Sequence, residues 1–295
     1  MKPIISFIKL LIYSNSFVSI CVVAFTHLTY IIYNLPQDNL PIVLLMVFSF
    51  TFFTYNGQRL FRLRTKLQYL ENIGERLQWV IKHQISLTIL TVVFGLIGLI
   101  CTYFINWYCF IILIPIGGLS VFYVIPIIPF YKKSLTLRDL PYLKIFIIAL
   151  VWSLIIVWIP FVDTRFPLGE LTIKILLIAL LQIFCFVIAI TLPFDVRDMK
   201  FDKLDQLKTI PRLAGIKASI ILSVIFLLGS IFLLYSSPIP VNNSKFYGFV
   251  IGHIITMLII AFTNENRKEL FFAGLVEGTV LILYTCVFIA DYFFL

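Results

Sequence analysis

From His83 to Tyr131 the chain runs for 49 residues without an Asp, Glu, Lys or Arg. Such a stretch cannot make a water-solvated surface, but it is long enough for two bilayer passes of about 20 apolar residues each. Asn106 marks the polar break between them. The pattern recurs: 10–37, 39–58, 145–162, 175–194, 218–244 and 246–264 are free of charge, and 270–290 is interrupted only by Glu277. Inside lipid every backbone polar group must be satisfied within the protein, and these runs are twice the length of a barrel strand, so they are expected to be helices. The expectation is an all-α polytopic membrane protein with nine transmembrane helices, residues 1–295 forming a single integral membrane domain. Composition agrees, because only 13% of the residues are charged, against about 25% in soluble domains. The first run is long and lacks a small-residue cleavage site, so it reads as a span rather than a removable signal.

Charge sets the orientation. Of the 23 Lys and Arg residues, 20 fall at the N-terminus or in the loops after spans 2, 4, 6 and 8, and only Arg165, Lys174 and Lys245 lie on the other side. The positive-inside rule then places the N-terminus in the cytoplasm and the C-terminus outside, with the plasma (inner) membrane as the expected location. The net charge of +9 is mostly this asymmetry, and no nucleic-acid partner is needed to explain it. The five cysteines lie in or beside spans without CxxC pairing and read as small buried hydrophobes, although Cys101 and Cys109 flank one short outer turn. His27, His83 and His253 are scattered.

The polar chemistry collects after span 6, in the segment TLPFDVRDMKFDKLDQLKTIPRLAG. Asp195, Asp198 and Asp202 stand at i, i+3 and i+7, and so share a face if the span-6 helix continues through them. Three carboxylates on one face repel unless a cation sits among them. Hard oxygen ligands at a membrane surface suit Mg²⁺, which takes one or two carboxylates plus substrate phosphates. Arg197, Lys200, Lys203, Lys208 and Arg212 interleave with the acids, as a diphosphate riding on the metal would require. The alternative is a solvated loop of mixed charge at a helix end.

The run Asp195-Val-Arg197-Asp198-x-x-x-Asp202, followed by Lys208-Thr209 and Gly215, resembles the second aspartate-rich motif of the UbiA superfamily of intramembrane prenyltransferases, in its menaquinone- and chlorophyll-synthase style. Tyr123-Val-Ile-Pro126, Lys132-Lys133 and Leu137-Arg138-Asp139 resemble the family's segment after helix 4. The resemblance implies a UbiA-like bundle of nine helices whose two motifs follow helices 2 and 6. It implies Asp195, Asp198 and Asp202 as Mg²⁺ ligands and catalytic residues, Tyr123 beside the reacting carbon, and Asn56, Lys132, Lys133, Arg197 and Lys208 as substrate-binding residues.

The first motif departs from the family. Where Asn-x-x-x-Asp-x-x-x-Asp is expected, this chain reads Asn56-Gly-Gln-Arg59-Leu60-Phe-Arg62-Leu-Arg64. Asn56 is kept, and Leu60 and Arg64 stand at the aspartate positions, so one Mg²⁺ site is expected and a second is doubtful. Arg59, Arg62 or Arg64 can grip phosphate directly, with Arg59 and Arg64 as substrate-binding candidates. The other readings are a scaffold that has lost catalysis, or arginines anchoring the helix to anionic headgroups.

Between Leu60 and Ile81 the apolar residues recur at helical spacing, predicting an amphipathic surface helix that either caps the site from the cytoplasm or anchors the chain. Glu277 is an intramembrane acid and so a functional candidate. Gln182 and Asn15 read as interhelical glue, and Thr191 lies one turn before Asp195. The implied activity is Mg²⁺-dependent transfer of a prenyl group from a prenyl diphosphate to an aromatic or lipid acceptor. The alternatives are a non-catalytic prenyl-lipid-binding member of the fold and a terpene-cyclase-like variant. A transporter would show an internal repeat with broken helices, and none is visible.

Overall fold

The computed structural model describes residues 2–66, 74–125, 128–130, 133–137, 140, 142–164, 169–204 and 209–293. Side chains at 2–5, 64–66, 128–130, 133–135 and 200–204 are outside that description. The chain is a bundle of helices, and its regular non-helical structure among the described residues is one hairpin pairing β1 (Ile128–Phe130) with β2 (Lys133–Leu135).

The first charge-free run makes one candidate span, Ser16–Tyr33, that starts later than the run itself. The run breaks at Ser14-Asn15, where Asn15 takes the left-handed conformation at φ 60°, which Asn tolerates better than most residues. The break separates α1 (Lys2–Tyr13) from α2 (Ser16–Tyr33). With 12 residues α1 is too short to cross; it exposes Phe7, Ile8 and Leu10 and turns Ile12 and Tyr13 inward. Then follow α3 (Leu40–Lys66), α4 (Glu75–Lys82), α5 (Gln84–Phe104) and α6 (Trp107–Phe122). The next element is α7 (Leu143–Ser153), continued through a π-helical turn at Leu154–Trp158 into α8 (Ile159–Asp163). The rest comprises α9 (Glu170–Leu204), α10 (Ile210–Tyr235), α11 (Asn243–Ala261) and α12 (Glu277–Phe293), the last entered through a π-helical segment at Phe271–Val276.

Eight of these helices are long and apolar enough to cross a membrane, and Trp107–Phe122 is a shorter apolar helix of 16 residues. Nine passes is therefore an approximate count, with α6 short for a full crossing. The predicted break at Asn106 is real: its side chain accepts from the Tyr108 amide and donates to the Val162 carbonyl, while its own amide donates to Asp163. All five cysteines are free.

Packing explains the order of the bundle. In lipid the hydrophobic effect does not drive one helix onto another, so close van der Waals approach must. Gly248 and Gly252 form a Gly-x-x-x-Gly pair on α11 against α12. A Cβ at Gly248 would stand 2.6 Å from the Cys286 carbonyl oxygen, and one at Gly252 would stand 2.8 Å from Leu283 Cα. Neither neighbour can yield, since both are backbone. Gly248→Val should therefore force the helices apart and destabilise the protein by about 1–3 kcal/mol, read as a lower melting temperature in detergent; an unchanged melt would show that α11 and α12 do not pack this closely. At the same end Lys245 of α11 donates to the Ile31 carbonyl and Asn34 of α2 and pairs with Asp291 of α12. The middle of the bundle is α9, whose Phe186, Val187, Ile188 and Ala189 are fully buried between α10 and α7. As expected, Gln182 links spans, accepting from Tyr33.

The amphipathic stretch after span 2 differs from its prediction. Residues 60–66 continue α3, 67–73 lie outside the described residues, and the surface helix is α4. Its Val80 packs with Leu63 of α3 and Leu87 of α5, and Glu75 receives Lys9 and Tyr13 of α1. The Lys9 ammonium holds the Glu75 carboxyl below its ordinary value.

Candidate active site

The span-6 helix does continue through its acids. With α9 unbroken to Leu204, Asp195, Asp198 and Asp202 occupy one face of it, as the spacing predicts. Asp195 and Asp198 face a cavity of about 250 Å³ between α1–α3, α4, the end of α6, α7, α9 and the start of α12. The same cavity is lined by Arg59, Arg62, Arg76, Tyr123, Lys144, Thr191, Arg197 and Glu277. Both motif segments thus reach one site, acids on the α9 wall and arginines opposite.

A continuous polar ring holds these groups. Lys144 of α7 donates to Asp195 at 2.7 Å and stands 3.5 Å from Asp198. Arg197 grips Asp198 with Nε and Nη2 at 2.8 and 3.3 Å, and its Nη1 reaches Glu269 at 3.3 Å. Glu269 in turn pairs with Arg76 of α4, which also donates to the Ile12 carbonyl and Asn15. The guanidinium of Arg197 lies 5.0 Å over the Phe194 ring, which fixes its plane as cation–π contact does. Lys144, Arg76 and Glu269 were not legible as site residues. Lys144 and Arg76 are ordinary loop cations in the sequence, and only folding brings them to Asp195 and Asn15.

Asn56, a substrate-binding candidate by its motif position, is tied into the fold. Its side chain is buried and its amide is committed to structure, donating to the Ser14 and Phe52 carbonyls and accepting from Asn15. It locks α3 to the break between α1 and α2. Leu60 likewise turns from the cavity, packing against Leu63, Val80 and Leu87. The face of α3 toward the cavity carries Tyr55, Gln58, Arg59 and Arg62, with Arg59 donating to the Tyr13 carbonyl at 3.0 Å. Of the remaining predicted residues, Lys132 and Lys208 lie outside the described residues, as do the side chains of Arg64, Lys133 and Asp202.

The donor set fits one divalent ion on the α9 wall, where Asp195 and Asp198 offer hard oxygens to the cavity and a diphosphate could complete the shell. The α3 helix itself contributes no carboxylate to the cavity. Among the described residues no three His, Cys, Asp or Glu side chains converge as a metal cluster.

A second cavity of about 400 Å³ adjoins the first. It is almost wholly apolar, lined by residues such as Phe50, Phe53, Phe61, Ile116 and Val124. The two share Tyr55, Gln58, Ser120 and Trp152 in their linings. These pair across the boundary, Trp152 donating to Tyr55 at 3.0 Å and Gln58 to the Ser120 carbonyl at 2.9 Å.

A charged cavity thus lies beside an apolar one in a bundle of membrane-length helices. The chain belongs to the UbiA prenyltransferase family, whose model matches residues 81–273. Its fold is similar to a UbiA homologue from Archaeoglobus fulgidus bound to GPP and Mg²⁺, at 14% identity and a TM-score of 0.62, over 96% of this chain and 99% of that one. The homologue bound to Cd²⁺ matches at 14% identity and a TM-score of 0.57, over 95% and 99% of the two chains. A structure of digeranylgeranylglyceryl phosphate synthase matches at 16% identity and a TM-score of 0.56, over 99% and 98%. A comparison with curated protein sequences finds no match. At these identities the structural likeness establishes the fold.

Proposed function

We propose that the protein is a prenyltransferase that binds a prenyl diphosphate with its head in the polar cavity and its chain in the apolar one, and transfers the prenyl group to an aromatic or lipid acceptor. The observation that carries the reading is that Asp195, Asp198 and Arg59 line one cavity that adjoins an apolar one. The Archaeoglobus homologue with GPP and Mg²⁺ supports the same substrate class.

Asp195 and Asp198 would hold Mg²⁺, which when bound would neutralise charge on the departing diphosphate. Arg59 supplies permanent positive charge from the opposite wall, where the family's first motif would have supplied carboxylates. Glu269 holds Arg76 and Arg197 toward the head from two sides. As the allylic C–O bond breaks, its electron pair leaves with the diphosphate; Tyr123, which lines the cavity, would stabilise the positive carbon until the acceptor bonds to it and gives up a proton. The apolar chamber would keep water from that cation. No protein nucleophile is required. Asp202, Lys132, Lys133 and Lys208 belong to the proposed site on the strength of the motif alone.

The test is pyrophosphate release from geranyl diphosphate by purified protein in nanodiscs of native lipid with Mg²⁺. Release stopped by chelator supports the enzyme. Binding without release, across lipid and aromatic acceptors, sinks it and favours the scaffold reading, which the missing carboxylates on α3 would explain.

We place the polar cavity at the cytoplasmic face of the plasma membrane, because that end carries nearly all the basic residues. A reporter fused after Leu295 should then be active outside the cell; activity in the cytoplasm would reverse the topology.

A further inference from the structure

Lys144 sits oddly for a lysine. It is in the first turn of α7, where the helix dipole disfavours a cation. The residue before that helix, Tyr142, adopts φ 61°, a conformation uncommon outside Gly, Asn and Asp. Both features coincide with an ammonium delivered into the acidic wall, 2.7 Å from Asp195 and 3.5 Å from Asp198. The two carboxylates are 5% and 17% exposed, so water does little to screen them from each other. Lys144 is thus a cation supplied by the chain itself, beside the two carboxylates that would hold a divalent ion.

Resting on the reading of this cavity as the diphosphate site, we propose that Lys144 is a positioning residue that stands in for the metal. Its ammonium, together with Arg197 on Asp198, balances the two carboxylates while the site has no substrate, and must leave them before they can hold a divalent ion. The arriving diphosphate gives the ammonium a new anionic partner in the same cavity, so metal entry is coupled to substrate entry. Such coupling is reciprocal, each ligand raising the affinity of the other. The side chain suits this role because a lysine ammonium is a point charge on a flexible stem, whereas Arg197 is held flat by Asp198, Glu269 and Phe194. The arrangement would also keep the wall charge-balanced where the α3 arginines, not carboxylates, face it.

The test is a pair of titrations on protein in nanodiscs. The first follows Mn²⁺ alone by the loss of the free-ion paramagnetic signal. The second follows geranyl diphosphate in excess chelator. Lys144→Met removes the charge and keeps the length, so Mn²⁺ affinity should rise by about 10-fold or more, the scale on which partners of metal ligands act. Chelator-resistant diphosphate affinity should fall in the same variant. Opposite changes in the two titrations cannot come from misfolding, which lowers both. Lys144→Arg, which keeps the charge, should hold Mn²⁺ affinity nearer to wild type than the neutral variants do, and Lys144→Gln gives a second neutral variant if the methionine is poorly folded. Mn²⁺ affinity unchanged, lowered or absent in the folded neutral variants overturns the role of Lys144. Failure of the wild type to bind geranyl diphosphate under any condition overturns the prenyltransferase reading instead, and leaves the Mn²⁺ comparison to stand on its own.

Discussion

Asp195→Ala and Asp198→Ala should each weaken Mg²⁺-supported binding of geranyl diphosphate by more than about 100-fold, since even the outer partners of metal ligands govern 10- to 100-fold. Each substitution removes a proposed metal ligand and a negative charge together. Each also frees a cation: Lys144 loses its closer partner with Asp195, and Arg197 loses its two-point grip with Asp198. A freed buried group costs stability of about 1–3 kcal/mol, so Asp195→Asn and Asp198→Asn, which keep shape and hydrogen-bonding capacity, should accompany the alanines. Equilibrium binding of labelled geranyl diphosphate, with melting curves beside it, separates the two effects. If the folded asparagine variants bind as wild type does, the acids are a salt-bridged helix end and the metal assignment is wrong.

Arg59→Ala should remove most of the diphosphate affinity that survives excess chelator. A hydrogen bond to a charged group contributes about 1.5–3 kcal/mol, or roughly 10- to 150-fold in binding. The arginine is aimed for this: it sits on the cavity face of α3 and is steadied by the Tyr13 carbonyl. Arg59→Lys should recover only part of the loss, because an ammonium cannot reproduce a two-pronged contact. The family pattern would suggest restoring carboxylates at Leu60 and Arg64. The structure redirects that experiment, because Leu60 packs with Leu63, Val80 and Leu87. Leu60→Asp should therefore destabilise the contact between α3, α4 and α5 without adding a ligand to the cavity. Arg59→Asp is the substitution that places a carboxylate on the cavity wall, and it should raise the divalent requirement. If chelator abolishes all binding in the wild type, arginine does not replace the metal here.

Much of this protein is legible without coordinates, for reasons that are local. Charge-free runs commit the backbone to helices in lipid whatever packs beside them, so the long spans follow from hydropathy. The face shared by Asp195, Asp198 and Asp202 follows from 3.6 residues per turn once α9 is seen to continue. The Ser14-Asn15-Ser16 break is not legible, because three small polar residues hardly dent a run of this length, and a hydropathy count does not register a left-handed Asn.

What the tertiary structure alone decides is which charges meet. Arg76 and Lys144 look like any other basic residues at the ends of spans. They become site residues because α4 folds back over α1 and because α7 begins beside Asp195. The reverse holds for Asn56, whose motif position suggests a ligand and whose amide is consumed by Ser14, Asn15 and Phe52. Helical periodicity tells which residues share a face of one helix, and so the acids could be grouped from sequence. Whether that face meets a metal, a lysine or a neighbouring backbone depends on contacts between residues 41 to 72 positions apart, which no local pattern encodes.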